Sequence, residues 1–313
     1  MHSLTRKLYL KFAVCAFVVL PVLAHAGTLY VNCGGQRGLT RIQKAIQLLQ
    51  QGETSGSNRI LISGSCKENI TIQSIDNLTL TAQNGASISD NSGGTLDVID
   101  IFDSRRVLLN GFSINGGANG VVCSDASLCR FSGNTVQGSS GYGVIVASSQ
   151  ATLNGDSMQN NAGRGLSIIN GGIVDATSVT LQGNGDGIVL NTRGTLTLSN
   201  SSVNGNQGFG IKAMTSSTSR LLGGVTVTAN GADGVILLQS SQAKLENLLG
   251  VNMVTNNGGA GITLADLSFA SFAPTTVVTG NSGGTDVVCT PQFSATRGAL
   301  TNLAGGTTNC VEP

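Results

Sequence analysis

The stretch Asn184-Gly-Asp-Gly-Ile-Val-Leu190 sets a small, glycine-rich turn directly before an apolar strand. Its central phrase, a glycine followed by Val, Leu or Ile, returns at Gly120-Val121, Gly143-Val144, Gly165-Leu166, Gly187-Ile188, Gly210-Ile211, Gly234-Val235 and Gly261-Ile262. The steps between those glycines are 23, 22, 22, 23, 24 and 27 residues. A fixed period in this range marks stacked repeats, each able to bury its apolar face only against its neighbours. Every unit reads as short strands and polar turns. The expected fold is therefore all-β, a single-stranded parallel β-helix in which one chain winds coil upon coil.

Aligning the repeats predicts which side chains become vertical neighbours. One inward column runs Ile99, Val121, Val144, Leu166, Ile188, Ile211, Val235, Ile262, with Val98 in the place of the first glycine. The next runs Ile101, Cys123, Val146, Ile168, Leu190, Ala213, Leu237, Leu264. Strand side chains alternate between faces, so the residue between each pair points outward. A further series, Asn161, Asn184, Asn206, Asn230, Asn257 and Asn281, lies in the turn before each glycine. Asparagine there is either a turn former that tolerates left-handed backbone angles or a rung passing hydrogen bonds from coil to coil. About nine coils, each about 4.8 Å above the last, give a rod on the order of 40–45 Å long.

The ends read differently. Arg6, Lys7 and Lys11, the apolar run Phe12 to Leu23 and Ala24-His25-Ala26 have the form of a cleavable signal peptide, expected to be residues 1–26. Residues 27–58 hold a strand, Thr28 to Asn32, and a helix suited to capping the first coil. Ile42, Ala45, Ile46 and Leu49 form one apolar stripe, Thr40 and Gln43 a capping box, and Gly52 the stop. Coils are expected over 59–289 and an irregular C-terminal cap over 290–313.

Removing the leader takes both histidines, His2 and His25, and leaves 14 basic against 16 acidic residues, a net −2. A histidine-free chain cannot build a Ser-His-Asp triad or a histidine zinc site. The charge gives no reason to expect nucleic acid as a partner, and no later segment is long enough for a membrane anchor. Export to the periplasm or beyond suits the six remaining cysteines, for which disulfides are favoured over metal binding. The preferred pairing is sequential, Cys33–Cys66, Cys123–Cys129 and Cys289–Cys310, although six cysteines allow other connectivities.

Three stretches carry a family resemblance: Gly38-Leu-Thr-Arg-Ile-Gln-Lys-Ala-Ile46, Ile62-Ser-Gly-Ser-Cys-Lys-Glu-Asn-Ile-Thr-Ile72 and the Asn…Gly-x-Gly-Ile coils. Through them the chain resembles bacterial exported proteins with right-handed parallel β-helix repeats, in the pectin-lyase-like superfamily. The resemblance implies a right-handed solenoid and only weakly an activity, since that superfamily holds pectate lyases, polygalacturonases, epimerases and many proteins of no assigned role. A polygalacturonase-like site would need a Gly-His-Gly motif, which this chain lacks. A pectate-lyase-like site would need clustered carboxylates for calcium and a basic proton acceptor.

The nearest approach to such a cluster is Asp97, Asp100 and Asp103, followed by Arg105 and Arg106. Carboxylates beside arginine could hold Ca²⁺ and a uronate, against the plainer reading of solvent-facing charge. A second candidate comes from the column just before the glycines: Asp97, Asn119, Tyr142, Arg164, Asp186, Phe209, Asp233, Ala260. Stacking sets Arg164 one coil from Asp186, flanked by Tyr142 and Phe209, with Lys212 on the neighbouring outward column. Aromatic surface beside charged hydrogen-bonding groups suits a sugar chain, so Tyr142, Arg164, Asp186, Phe209, Lys212 and Asp233 form a candidate carbohydrate strip. The competing reading is a structural edge with one ordinary ion pair. Outward Val122, Ile145, Val189 and Ile236 reflect strand propensity, or an apolar stripe if continuous. The expected function is an exported binding or structural protein without a cofactor, its partner a polysaccharide. The alternative is a calcium-dependent polysaccharide lyase. Nothing in the residues sets the oligomeric state.

Overall fold

A computed structural model describes residues 27–51, 56–290, 295–297 and 306–310. The expected leader, the Gly52 stop and most of the expected C-terminal cap lie outside the described residues. The rest winds as a right-handed parallel β-helix of ten coils, one more than the spacing of the glycines suggests. One face of the solenoid is a ten-stranded parallel sheet, starting at Ile70–Gln73 and ending at Val287–Cys289. Two further ladders form a 20-stranded sheet, because the long strands Asn58–Lys67 and Leu78–Ser89 bend round a corner and pair in both.

The register agrees with the sequence alignment. Val144 pairs with Val121 and Leu166, Ile188 with Leu166 and Ile211, and Val235 with Ile211 and Ile262. Both inward columns are buried along their whole length. Each buried aliphatic side chain contributes about 1.5–3 kcal/mol by leaving water.

At the N-terminal end, Ile42–Gln51 forms the single helix among the described residues and lays Ile42, Ala45, Ile46 and Leu49 on the first coil. Its N-terminus is not closed by a Thr40–Gln43 capping box. The Glu68 carboxylate accepts the N–H groups of Ile42 (2.7 Å) and Gln43 (3.2 Å), while the Gln43 side chain bonds both backbone groups of Thr71. An anion from the first coil satisfies two free donors and the helix dipole together, which a threonine hydroxyl cannot do. Disulfides join Cys33 to Cys66, Cys123 to Cys129 and Cys289 to Cys310.

Each coil turns three corners, and at one of them stacked polar side chains form an unbroken internal ladder. At the asparagine corner the Nδ2 of Asn161, Asn184, Asn206, Asn230 and Asn257 donates to the Oδ1 of the next asparagine at 2.8–3.0 Å. The same Oδ1 accepts the backbone N–H of the asparagine below, and each Nδ2 also reaches a strand carbonyl. These carboxamides are rungs, not merely turn formers. The left-handed backbone angle falls on the preceding residue: Asn160, Gly183, Gly205, Ala229, Asn256, Gly280.

The repeated glycine follows from the same ladder. A Cβ on Gly143 would lie 2.7 Å from the Asn161 Nδ2, and one on Gly234 2.7 Å from that of Asn257. The glycine and the asparagine are therefore one device: the rung occupies the space a side chain would need.

Candidate functional site

The outer face of the ten-stranded sheet places all six residues of the candidate strip within four successive strand steps. Tyr142 lies against Gly163, where a Cβ would be 2.7 Å from the ring, so the absence of a side chain there seats the aromatic. The Arg164 guanidinium stands 4.9 Å from the Tyr142 ring centroid and donates to the Ser167 hydroxyl at 3.1 Å. Lys212 repeats the arrangement, its ammonium 4.8 Å from the Phe209 centroid. A cation over a ring face gains from the ring quadrupole, and most where water is partly excluded.

Arg164 and Asp186 are paired in register as the alignment predicts. The three ion pairs among the described residues, however, are Arg106–Asp76, Arg220–Glu246 and Lys244–Glu246. Asp186 instead accepts the Phe209 N–H at 2.9 Å, and Asp233 the Ala260 N–H at 2.9 Å. Asp97 accepts from Asn119, and Asn119 in turn from the Tyr142 N–H. The acidic and amide members of this column thus tie each coil to the next, using one oxygen each. The second oxygens of Asp186 and Asp233 have no hydrogen-bond partner among the described residues.

Outward does not mean exposed on this face. Ser167 and Val189 are fully buried, while Val122, Ile145 and Ile236 are half-buried. The four outward aliphatics therefore make no continuous exposed stripe.

Asp97, Asp100 and Asp103 do not converge. Asp97 is held by Asn119 and Asp103 accepts the Ser74 hydroxyl across the neighbouring exposed corner. Burial and the nearby charges of Asp97 and Asp125 push the Asp100 carboxyl above its ordinary range. Among the described residues the one group of three potential metal ligands is Cys33, Cys66 and Glu68, whose cysteines are joined as a disulfide. Asp97, Asp100 and Asp103 are not brought together in such a group among the described residues.

Sequence reading missed the ladder at the corner leading out of this sheet. Ser104, Ser127, Ser149, Ser217, Ser241 and Ser268 are all buried, and each takes the N–H of the residue below onto its hydroxyl at 3.0–3.2 Å. Their spacing follows the glycine period, which was the available signal.

No curated protein sequence matches the chain. Solved structures share its winding at low identity. The pectate lyase Pel9A superposes with a TM-score of 0.57 and 11% identity, over 90% of this chain and 79% of the other. The A-module of the Azotobacter vinelandii mannuronan C-5 epimerase AlgE4 gives 0.57 and 10%, over 90% and 98%. That of AlgE6 gives 0.52 and 11%, over 87% and 91%. At such identities the likeness shows the fold alone. The family model described as the right handed beta helix region matches residues 119–282, just over half of the chain, and the protein belongs to that family.

Proposed function

We propose that the outer face of the ten-stranded sheet is a shallow carbohydrate-binding strip, and that the protein acts by binding rather than by catalysis. The observation that carries this reading is the pair of ring–cation units, Tyr142 with Arg164 and Phe209 with Lys212. Their rings sit three strand steps apart, about 14 Å, with Asp186 between them. Rings offer apolar surface to a sugar face, while guanidinium, ammonium and the free carboxylate oxygens meet hydroxyls. The related folds include a pectate lyase and mannuronan epimerases, which makes a polysaccharide partner the natural first choice. Three disulfides fit an oxidising compartment, and together with the leader expected from the sequence they support action outside the cytoplasm.

The test is titration of soluble glycans, neutral and uronate-containing, against wild type, Tyr142→Ala and Phe209→Ala. The expected result is saturable binding weakened about tenfold or more by either substitution. Unchanged binding in both variants overturns the strip. In the same samples, appearance of ultraviolet-absorbing unsaturated products with calcium present would replace binding by lyase action.

A further inference from the structure

Around the serine corner from the strip, on the outer surface of the next ladder, a second site stands on different residues. An open depression of about 150 Å³ is lined by Arg106, Leu128, Arg130, Gln150 and Thr152. Their placement follows from register. Arg130 is directly opposite Thr152, and Leu128 directly opposite Gln150, on adjacent strands. Arg106, one residue before the Val107–Cys129 pair, stands diagonally from Arg130, a separation of about 7–8 Å between backbones that long side chains readily bridge.

The side chains of Arg130, Gln150 and Thr152 are exposed and have no hydrogen-bond or ionic partner among the described residues. Arg106 commits Nε to Asn77 and Nη2 to Asp76, which fixes its position and leaves Nη1 free. Four donor groups from three consecutive coils therefore face one hollow. The next residue in the Arg130 column, after Thr152, is Asp175, whose charge bounds the hollow on that side and limits it to one anionic group.

We propose that this depression binds a single oxyanion group, a sulfate, phosphate or carboxylate, gripped by Arg130 with Arg106, Thr152 and Gln150 as supporting donors. A guanidinium fork matches two oxygens of such a group, and a hydroxyl and an amide can take a third. The group arrives either as a free ion or as a substituent on a polymer, and Leu128, 38% exposed, gives an apolar floor for what carries it.

The experiment compares wild type with Arg130→Gln and Thr152→Val. Thermal unfolding and calorimetry are run with sodium sulfate, dextran sulfate and polygalacturonate, each against sodium chloride of equal ionic strength. Both positions are exposed, so the variants keep the wild-type circular dichroism spectrum. The expected result is saturable binding of at least one probe in wild type, weakened about tenfold in Arg130→Gln and less in Thr152→Val. A response to sodium sulfate assigns a free ion, and a response to a polymer alone assigns a substituent. Responses equal in wild type and Arg130→Gln, or no response beyond sodium chloride, overturn the proposal. The double variant Tyr142→Ala/Phe209→Ala retains this binding, so loss of the carbohydrate strip and loss of the oxyanion site are read separately.

Discussion

Two corners of the solenoid use the same backbone device and fill it differently. At the asparagine corner, a left-handed residue precedes an inward-pointing rung, and the rungs run unbroken from Asn161 to Asn281. At the other, between the second and third faces, Gly111, Gly133, Gly155, Ser178 and Asn200 are likewise left-handed. The residues that follow them are Phe112, Asn134, Asp156, Val179 and Ser201. Both series pass an amide donor upward to an aspartate. Asn281 gives its Nδ2 and N–H to Asp286 Oδ1, and Asn134 gives the same two groups to Asp156 Oδ1.

The aspartates differ in what lies beyond them. Asp286 closes the last coil, and its other oxygen takes the Thr307 N–H and hydroxyl. Burial there works against ionisation, but the bonds from Asn281 and Thr307 outweigh it and hold the carboxyl below its ordinary range. The aligned carboxamides also point their positive ends at it. Asp156 sits in mid-stack with Val179 next in the column, a side chain that can donate nothing. Burial pushes its carboxyl up to about 6, against the bonds from Asn134 and Asn154 that pull it down. A ladder is stabilising when its last rung meets donors, and costly when it ends on a charge beneath an aliphatic residue.

The strongest way to break this contrast is to cut the continuous ladder. Asn206→Ala strands the Asn184 N–H, which donates to Asn206 Oδ1 at 3.0 Å, takes from the Asn184 Nδ2 one of its two acceptors while the Met158 carbonyl remains, and removes the Asn206 Nδ2 from the Leu181 carbonyl. Each buried orphan costs about 1–3 kcal/mol, so the expected destabilisation is about 3–5 kcal/mol. The midpoint of urea unfolding measures it. A shift worth less than about 1 kcal/mol would mean the asparagines serve only the turn.

The sequence made the stack legible because a constant step and period-two alternation are enough to fix register, and register fixes which residues touch inside. Ile99 to Ile262 follow from that alone. It also put Arg164 beside Asp186, correctly as backbone neighbours. What it could not supply is direction. Arg164 turns to Tyr142 and Ser167, and Asp186 to a backbone N–H, because a fixed amide one strand away outcompetes a long, flexible cation. The same limit hid the serine ladder, whose members read as polar turn residues until a hydroxyl is seen under an N–H. It also misassigned the helix cap, since Glu68 is far from Ile42 in the chain and beside it only after winding.

The second test sharpens the contrast through pH. The folded-state value of about 6 for Asp156 lies above the ordinary 3.8, so the folded state holds this proton more tightly than the unfolded chain. Its stabilising contribution is complete below about pH 4 and lost as the pH rises through about 6, a change of about 3 kcal/mol. Asp286 has the opposite sign, helping above the unfolded value and losing its effect as the pH falls through its lowered one. Urea unfolding from pH 4 to 7 is expected to show the Asp156 loss in wild type and a flatter profile in Asp156→Asn. An identical slope in the variant would place the proton elsewhere.

The smallest effect belongs to the broken corner itself. Beyond Val179 the column restarts at Ser201, whose hydroxyl accepts the Val179 N–H at 3.1 Å and donates to the Ser199 carbonyl at 2.6 Å. Ser201→Ala removes one isolated rung. The carbonyl keeps a second lone pair for other donors, and the N–H is the main group left without its partner, so the expected cost is about 1 kcal/mol, read from the same urea midpoint. If Ser201→Ala costs as much as Asn206→Ala, continuity carries no premium and the two corners are energetically alike. A clear difference between them assigns the asparagine ladder its extra stability to linkage between rungs, because each rung there is held from both sides and loses partners on both when it is removed.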